Sequence, residues 1–246
     1  MHPEDVRPYS GESPKGEQVE TMFNHIAPSY DFMNAAMTFG LHRRWLRKAL
    51  DALDREAPEP PRAILDLATG TGDVALKLAE RFGDAEILGV DLSEGMLAIA
   101  RDKAADANRR NISFQRGDCL ALDLPDNSFD MLTIAYGVRN FEDLNKGFRE
   151  FFRVLRPGGT FMILELSRPE RQPARIGYDL YSRCLIPLAG RIVSKDRKAY
   201  SYLPQSIAAM PPRRHIAAML QQTGFKDVRF KSLTLGAVTY YTGHKP

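Results

Sequence analysis

The chain is predicted to fold as an α/β domain, a doubly wound, mostly parallel sheet closed by a C-terminal antiparallel hairpin. Three observations carry the prediction. Leu65-Asp66-Leu67-Ala68-Thr69-Gly70-Thr71-Gly72-Asp73 takes an apolar strand into a Gly-x-Gly turn, and Gly89-Val90-Asp91 ends the next apolar run in an acid. That pattern describes a β-α-β unit built to hold a nucleoside. Strand and helix signals then alternate as far as residue 166. Two β-rich runs close the chain, Phe225–Ser232 and Ala237–Gly243, joined near Leu235-Gly236.

Residues 1–16, with Pro3, Pro8, Pro14 and two glycines, hold too few apolar side chains to fold alone and are expected to be a flexible arm. Over residues 17–56, Glu17–Asn24, Tyr30–Met37 and Leu41–Leu53 repeat apolar residues every three or four positions, punctuated by Pro28 and Gly40. These read as three short helices forming a cap. Ala57-Pro58-Glu59-Pro60-Pro61 is a stiff linker to a main domain over 62–246. There the expected order is strand Ala63–Ala68, helix Gly72–Arg81, strand Ala85–Val90, helix Ser93–Ala107, strand Ile112–Gln115, strand Phe129–Tyr136, helix Leu144–Leu155 and strand Thr160–Leu166. Ser93 three residues before Met96 is a helix start, and Arg156-Pro157-Gly158-Gly159 a stop. A helical insertion or lid over 168–212 precedes a helix over Arg213–Gln222.

The 246 residues and 43% hydrophobic content suit one main domain with additions. Neither Cys119 nor Cys184 has a neighbouring Cys or closely spaced His, so no metal site or disulfide framework is indicated and a reducing cytoplasm fits. No apolar run reaches the roughly 18 residues of a spanning helix. A net charge of +3 is too small to argue for nucleic acid.

Gly70 to Ala75 also satisfies the relaxed dinucleotide pattern, in which a helix N-terminus meets a pyrophosphate. Asp66 and Asp73 flank that turn and would oppose phosphate, whereas a cation would be welcome. S-adenosylmethionine, a sulfonium and an ammonium without phosphate, suits such a turn, and Asp91 can accept from both ribose hydroxyls. Gly70 and Gly72 bring backbone close to it. Beyond the strands' carboxyl ends lie Gly117-Asp118-Cys119, where Asp118 can accept from an adenine amino group and Cys119 offers main chain. Ala135-Tyr136-Gly137-Val138-Arg139-Asn140 follows the fourth strand, where donor and acceptor would meet, and Glu165-Leu166-Ser167 follows the fifth.

With Tyr30-Asp31-Phe32-Met33-Asn34, His42, Trp45, Gly-Val-Arg-Asn at 137–140, Arg153-Val154-Leu155-Arg156-Pro157-Gly158-Gly159 and Tyr200-x-Tyr202-Leu203-Pro204, the chain resembles the quinone-biosynthesis C-methyltransferases nearly throughout. These enzymes methylate the ring of demethylmenaquinol or of the related ubiquinone precursor. The resemblance implies a class I methyltransferase fold, S-adenosylmethionine as donor, and Thr71, Asp91, Asp118 and Cys119 as cofactor contacts. Ala135 and Thr38 stand where such enzymes often carry serine, so any contact at Ala135 is main chain. The stretch from Gly16 to Ala27 is similar to members from menaquinone-making bacteria, which favours demethylmenaquinol. Alternatives are a dual-function enzyme that also methylates the 2-polyprenyl-6-methoxy-1,4-benzoquinol, and a same-fold methyltransferase for another lipid or small aromatic. A nucleotide-dependent oxidoreductase and a non-catalytic binding module are alternatives from other classes.

Carbon methylation requires the reduced ring, because a phenolate is a carbon nucleophile and a quinone is an electrophile. Arg139 is expected to stabilise the phenolate, Asn140 to orient the ring or a water, and Tyr30 to close the pocket. The competing role for Arg139 is a salt bridge to Glu142 or Asp143. His25, His42, Asp31 and a water remain open as the base, with helix-face packing the simpler role for His42 and Trp45. Tyr200 and Tyr202 either line the acceptor pocket or belong to the core. Arg168 to Arg214 holds ten Arg/Lys against Glu170, Asp179 and Asp196, a net +7 that leaves −4 for the rest of the chain. Interleaved with these bases are Ile176, Tyr178, Leu180, Tyr181, Leu185, Ile186, Leu188, Ile192 and Val193. This composition suits either contact with anionic lipid or a solvated basic face. The expected partner is a prenylated quinol. The expected location is cytoplasmic, with peripheral contact at the inner face of the cell membrane and oligomerisation both left open.

Overall fold

The computed structural model describes residues 3–57, 59–180 and 197–246. Its strands are β1 (Ala63–Leu67), β2 (Glu86–Asp91), β3 (Ile112–Arg116), β4 (Phe129–Ala135), β5 (Leu155–Leu166), β6 (Lys226–Leu233) and β7 (Val238–His244). They form one sheet in the order β3-β2-β1-β4-β5-β7-β6, parallel except for β7, which runs antiparallel to both β5 and β6. The predicted doubly wound sheet with a closing hairpin is therefore the one observed. Its order reverses between β1 and β4, so their carboxyl ends mark the switch point.

The helices are α1 (Lys15–Ile26), α2 (Tyr30–Thr38), α3 (Leu41–Glu56), α4 (Asp73–Arg81), α5 (Glu94–Asp106), α6 (Leu144–Val154), α7 (Ala174–Leu180), α8 (Arg197–Ala209) and α9 (Arg213–Thr223). Strand alternation sends side chains to two cores. Ile64, Met131, Met162, Leu164 and Val238 pack with α3 and α4, while Leu65, Leu132, Phe161, Ile163 and Tyr241 pack with α6 and α9. Phe148 and Phe151 of α6 are fully buried, each contributing about 1.5–3 kcal/mol by area removed from water. Ser93 caps α5 by accepting from the Met96 amide at 3.2 Å, as its position predicts.

Three expectations change. The helix Leu41–Glu56 is not part of a separate cap: its apolar stripe of Trp45, Ala49, Leu50, Ala52 and Leu53 is wide enough to cover the sheet itself. The helix over 144–154 stops where Arg156-Pro157-Gly158-Gly159 predicts, but the strand begins at Leu155 rather than Thr160, so residues 155–159 are strand as well. Their backbone finds partners in the chain's end, with the Gly158 N–H donating to the Lys245 carbonyl at 2.8 Å and the Lys245 N–H to the Gly159 carbonyl at 2.9 Å. Finally, the arm is docked. Val6 is buried with Met22, Ile26 and Met33, and α1 begins at Lys15, whose ammonium is buried and donates to the carbonyls of Pro3 at 2.8 Å and Phe141 at 3.0 Å. Charge-assisted bonds hold a segment that apolar content alone would leave loose.

Candidate active site

The carboxyl ends of β1, β2 and β4 open on a cleft roofed by α1. Asp91 ends β2 there. Its Oδ2 accepts from the Gly70 amide at 2.8 Å and its Oδ1 from the Ser93 amide at 2.9 Å, so the carboxylate is aimed while lone pairs remain for a diol. Burial raises its pKa against the pull of those amides. Glu20, Asp118 and Glu142 line the same cleft, and no Arg, Lys or His does so among the described residues. Such a lining repels pyrophosphate and suits a cation.

The sign of the charge argument thus holds, but different carboxylates carry it. Asp66 is wholly buried, accepts from Thr69 Oγ1 and Thr133 Oγ1 at 2.6 Å each, and is pushed up to about 7 by burial. It braces the turn from beneath. Asp73 pairs with Lys103 at 2.6 Å. Thr71 also faces away from the cleft, its hydroxyl donating to Asp31 Oδ1 at 2.6 Å while Lys103 Nζ donates to it at 3.1 Å. Asp31, Thr71, Asp73 and Lys103 therefore clasp α2 to the start of α4. Gly72 does not line the cleft either. It is the N-cap of α4 at φ +82°, where a Cβ would stand 3.0 Å from the Ala100 Cβ, so it serves the turn and the packing. Gly70, Asp91, Asp118, Cys119 and Ala135 do line the cleft, with the buried Cys119 thiol held protonated by burial.

A second cavity, of about 450 Å³ and mainly apolar, lies beneath α2, α3 and α8. Phe23, Tyr30 and Tyr136 line both spaces and form the wall between them. The stretch from Ala135 to Asn140 is thus where the two spaces meet, as its position in the sequence predicts. Tyr136 holds a left-handed backbone at φ +60°, costly for a tyrosine and typical of a functional site. Its buried hydroxyl has no hydrogen-bond partner, and neither does Arg139 Nε. Two unsatisfied donors beside an apolar cavity are what a substrate oxygen would satisfy.

Arg139 is indeed ion-paired, but neither proposed acid is its partner. Glu142 accepts from the Gly16 amide at 2.7 Å and Asp143 caps α6, while Arg139 Nη1 meets Glu165 Oε1 at 2.9 Å with both side chains buried. Glu165 also accepts from the Arg139 and Leu166 amides at 3.1 and 2.7 Å. Arg139 Nη1 reaches the Tyr136 carbonyl as well, locking the loop. Asn140 lines the first cleft and accepts from the Tyr202 hydroxyl at 3.1 Å. Tyr202 is buried and lines the second cavity. The side chain of Tyr200 lies outside the described residues. Tyr30 packs over the glycine turn, a Cβ on Gly70 standing 3.9 Å from its Cε1. The strained backbone of Tyr136 and the pairing of Glu165 with Arg139 were not legible in the sequence, although Tyr136 directly follows β4 and Glu165 lies at the carboxyl end of β5, the places that topology marks.

The chain matches the model of the ubiE/COQ5 methyltransferase family over residues 12–245. It belongs to that family. It is 44% identical over 243 residues to the demethylmenaquinone methyltransferase of Bacteroides fragilis, covering 98% of each chain. It is 41% identical to the ubiquinone/menaquinone biosynthesis C-methyltransferase UbiE of Geobacter sulfurreducens, covering 94% of this chain and 90% of that one. Among solved structures, the [4+2]-cyclase SpnF superposes with a TM-score of 0.71 at 19% identity, over 96% of this chain and 99% of that one. Phosphoethanolamine N-methyltransferase 2 of Haemonchus contortus, solved with S-adenosylhomocysteine, gives 0.60 at 18% identity over 81% of this chain and 52% of that one. The fold is that of a class I methyltransferase, and the donor is S-adenosylmethionine, which the cation-seeking cleft fits.

Proposed function

We propose that the protein methylates a ring carbon of demethylmenaquinol, the last step of menaquinone biosynthesis. The observation that carries this reading is one acid-lined and one apolar space sharing a wall of Phe23, Tyr30 and Tyr136. Gly70, Asp91, Asp118, Cys119 and Ala135 would hold S-adenosylmethionine, which supplies the methyl group. The apolar cavity takes the ring and the first part of the prenyl tail. Arg139 and the Tyr136 hydroxyl steady the negative charge on the ring oxygen, Asn140 and Tyr202 position the ring, and Tyr30 shields the junction from water. No covalent intermediate with the protein is needed, because holding the reactants in line supplies much of the acceleration.

Phe39 and Leu235 line the cavity yet are 80% and 83% exposed, and both hold left-handed backbone conformations. Ile176 and Leu180 are also exposed on α7, a helix whose Ala174, Gly177 and Tyr178 line the same cavity, and no described helix is long and apolar enough to cross a membrane. This arrangement suits peripheral contact with anionic lipid, through which a prenylated quinol would enter. The remaining apolar residues of the basic segment, from Tyr181 to Val193, lie outside the described residues. Flotation with anionic vesicles tests the contact: Phe39→Asp/Leu235→Asp should reduce binding, and equal binding by the wild type and the variant removes these two tips from it.

A dual-function reading is favoured by the name of the Geobacter relative. Methyl transfer from labelled S-adenosylmethionine to demethylmenaquinol and to the benzoquinol precursor, each kept reduced, decides. Label in the naphthoquinol alone is expected, label in both makes the enzyme dual-function, and label in neither overturns the substrate.

A further inference from the structure

We propose that His42 is the general base of this reaction, its Nε2 taking the proton of the acceptor's ring hydroxyl. The assignment rests on the quinol reading above. Thr38 Oγ1 lies 2.6 Å from the Asn34 carbonyl oxygen and 2.8 Å from His42 Nδ1. A carbonyl only accepts, so the single Thr38 proton goes to Asn34, and His42 Nδ1 must supply the proton of the second bond. Neutral His42 is thereby fixed as the Nδ1–H tautomer, which leaves Nε2 with its lone pair.

Elimination points the same way. The titratable side chains lining the apolar cavity are Tyr30, His42, Tyr136, Arg139, Tyr178 and Tyr202, with no carboxylate, lysine or cysteine among the described residues. Phenols titrate near 10, and burial raises Tyr30, Tyr136 and Tyr202 further. Arg139 is protonated and paired with Glu165. Of the other side chains open from the sequence, Asp31 is held by Thr71 and Lys103, and neither it nor His25 lines the cavity. Charged neighbours of His42 are Arg43 on its own helix, Asp31 on α2 and Asp73 on α4. Burial, aided by Arg43, keeps the imidazole below its ordinary 6.5 despite the two acids, so it is neutral at pH 7. Its place in the first turn of α3 acts in the same direction.

In the step, the hydroxyl O–H bond breaks and an Nε2–H bond forms, leaving phenolate and imidazolium. Once the ring carbon has gained its methyl group, the C–H proton leaves to water and the imidazolium returns its proton to the ring oxygen. One proton is released overall, and no oxidant or reductant is consumed.

The test compares wild type, His42→Ala and His42→Gln on reduced demethylmenaquinol from pH 5 to 9, with and without added imidazole. The C2–H NMR titration of His42 in the wild type and S-adenosylhomocysteine affinity are measured alongside. We expect kcat/KM at pH 7 to fall about 10²–10⁴-fold, unchanged product affinity, loss of the acid limb, partial rescue of the alanine variant by imidazole, and a titration midpoint below 6.5. A variant within about threefold of wild type that keeps the acid limb overturns the proposal, as does a folded, ligand-binding alanine variant that imidazole does not rescue. Should the His42 variants not fold, Thr38→Val leaves the imidazole in place but unlocks its tautomer. A several-fold fall in kcat is then expected, and wild-type kcat overturns the assignment. A wild type inactive on every quinol removes the substrate reading, and this base with it.

Discussion

Truncating Arg139 to alanine should damage stability and chemistry by separable routes. The pair it makes with Glu165 spans 2.9 Å, with only 7% and 3% of the two side chains exposed. At about 4 Å between charge centres and an effective dielectric near 20, the attraction is about 4 kcal/mol. Losing one partner of a buried pair costs about 3–5 kcal/mol, mostly because the other charge is left unpaired. Glu165 would keep the Arg139 and Leu166 amides as donors, so the lower end, about 3 kcal/mol, is expected. Arg139→Ala/Glu165→Gln removes the stranded charge and should recover most of that loss. The double variant should not recover activity, since a donor to the phenolate is worth about 10²–10³-fold in rate. Urea unfolding and methyl-transfer kinetics on the two variants read both quantities. A double variant as unstable as the single one would show that the Glu165 charge is not the cause, and a single variant with wild-type kcat/KM would remove Arg139 from the reaction.

Asp91→Asn should weaken S-adenosylhomocysteine binding about 10–100-fold by calorimetry, because an amide can accept from only one of the two backbone donors now held and loses the charge. Wild-type affinity would remove Asp91 from the contact set. Thr71→Val should cost about 1 kcal/mol by urea unfolding through the loss of its bond to Asp31. Cofactor affinity should change by less than about threefold, and a tenfold loss would return Thr71 to the contacts. Asp66 rises from 3.8 to about 7 on folding, so its contribution is complete below 3.8 and is lost as pH rises through 7. Asp66→Asn stays neutral and should gain on the wild type between pH 4.5 and 8; a constant difference in urea midpoint would refute the buried neutral acid.

The sheet was legible because strand alternation and the glycine turn are local signals, and the switch point follows from topology alone. That Asp91, Asp118, Cys119 and Ala135 line the cleft was legible for the same reason, since each sits where a strand ends. That the Thr71 hydroxyl and the Asp73 carboxylate face Asp31 and Lys103 was not legible, because sequence shows proximity to a turn but not direction, and Lys103 lies on a distant helix. Arg139 was found but its partner was not: Glu142 and Asp143 are near in sequence, whereas Glu165 is near only across β4 and β5. His42 reads as packing until the hydroxyl of Thr38 is seen to fix its proton.

The buried ammonium of Lys15 has a consequence for how the protein is made and handled. Its anchor at Phe141 lies 126 positions downstream, so on synthesis this helix waits for that whole stretch to emerge before its clamp exists. Translation restarted at Met22 would lose the clamp along with Val19 and Glu20 from the cleft roof. A purification tag is better fused behind the exposed Pro246 than ahead of a segment whose lysine is tied to the Phe141 carbonyl.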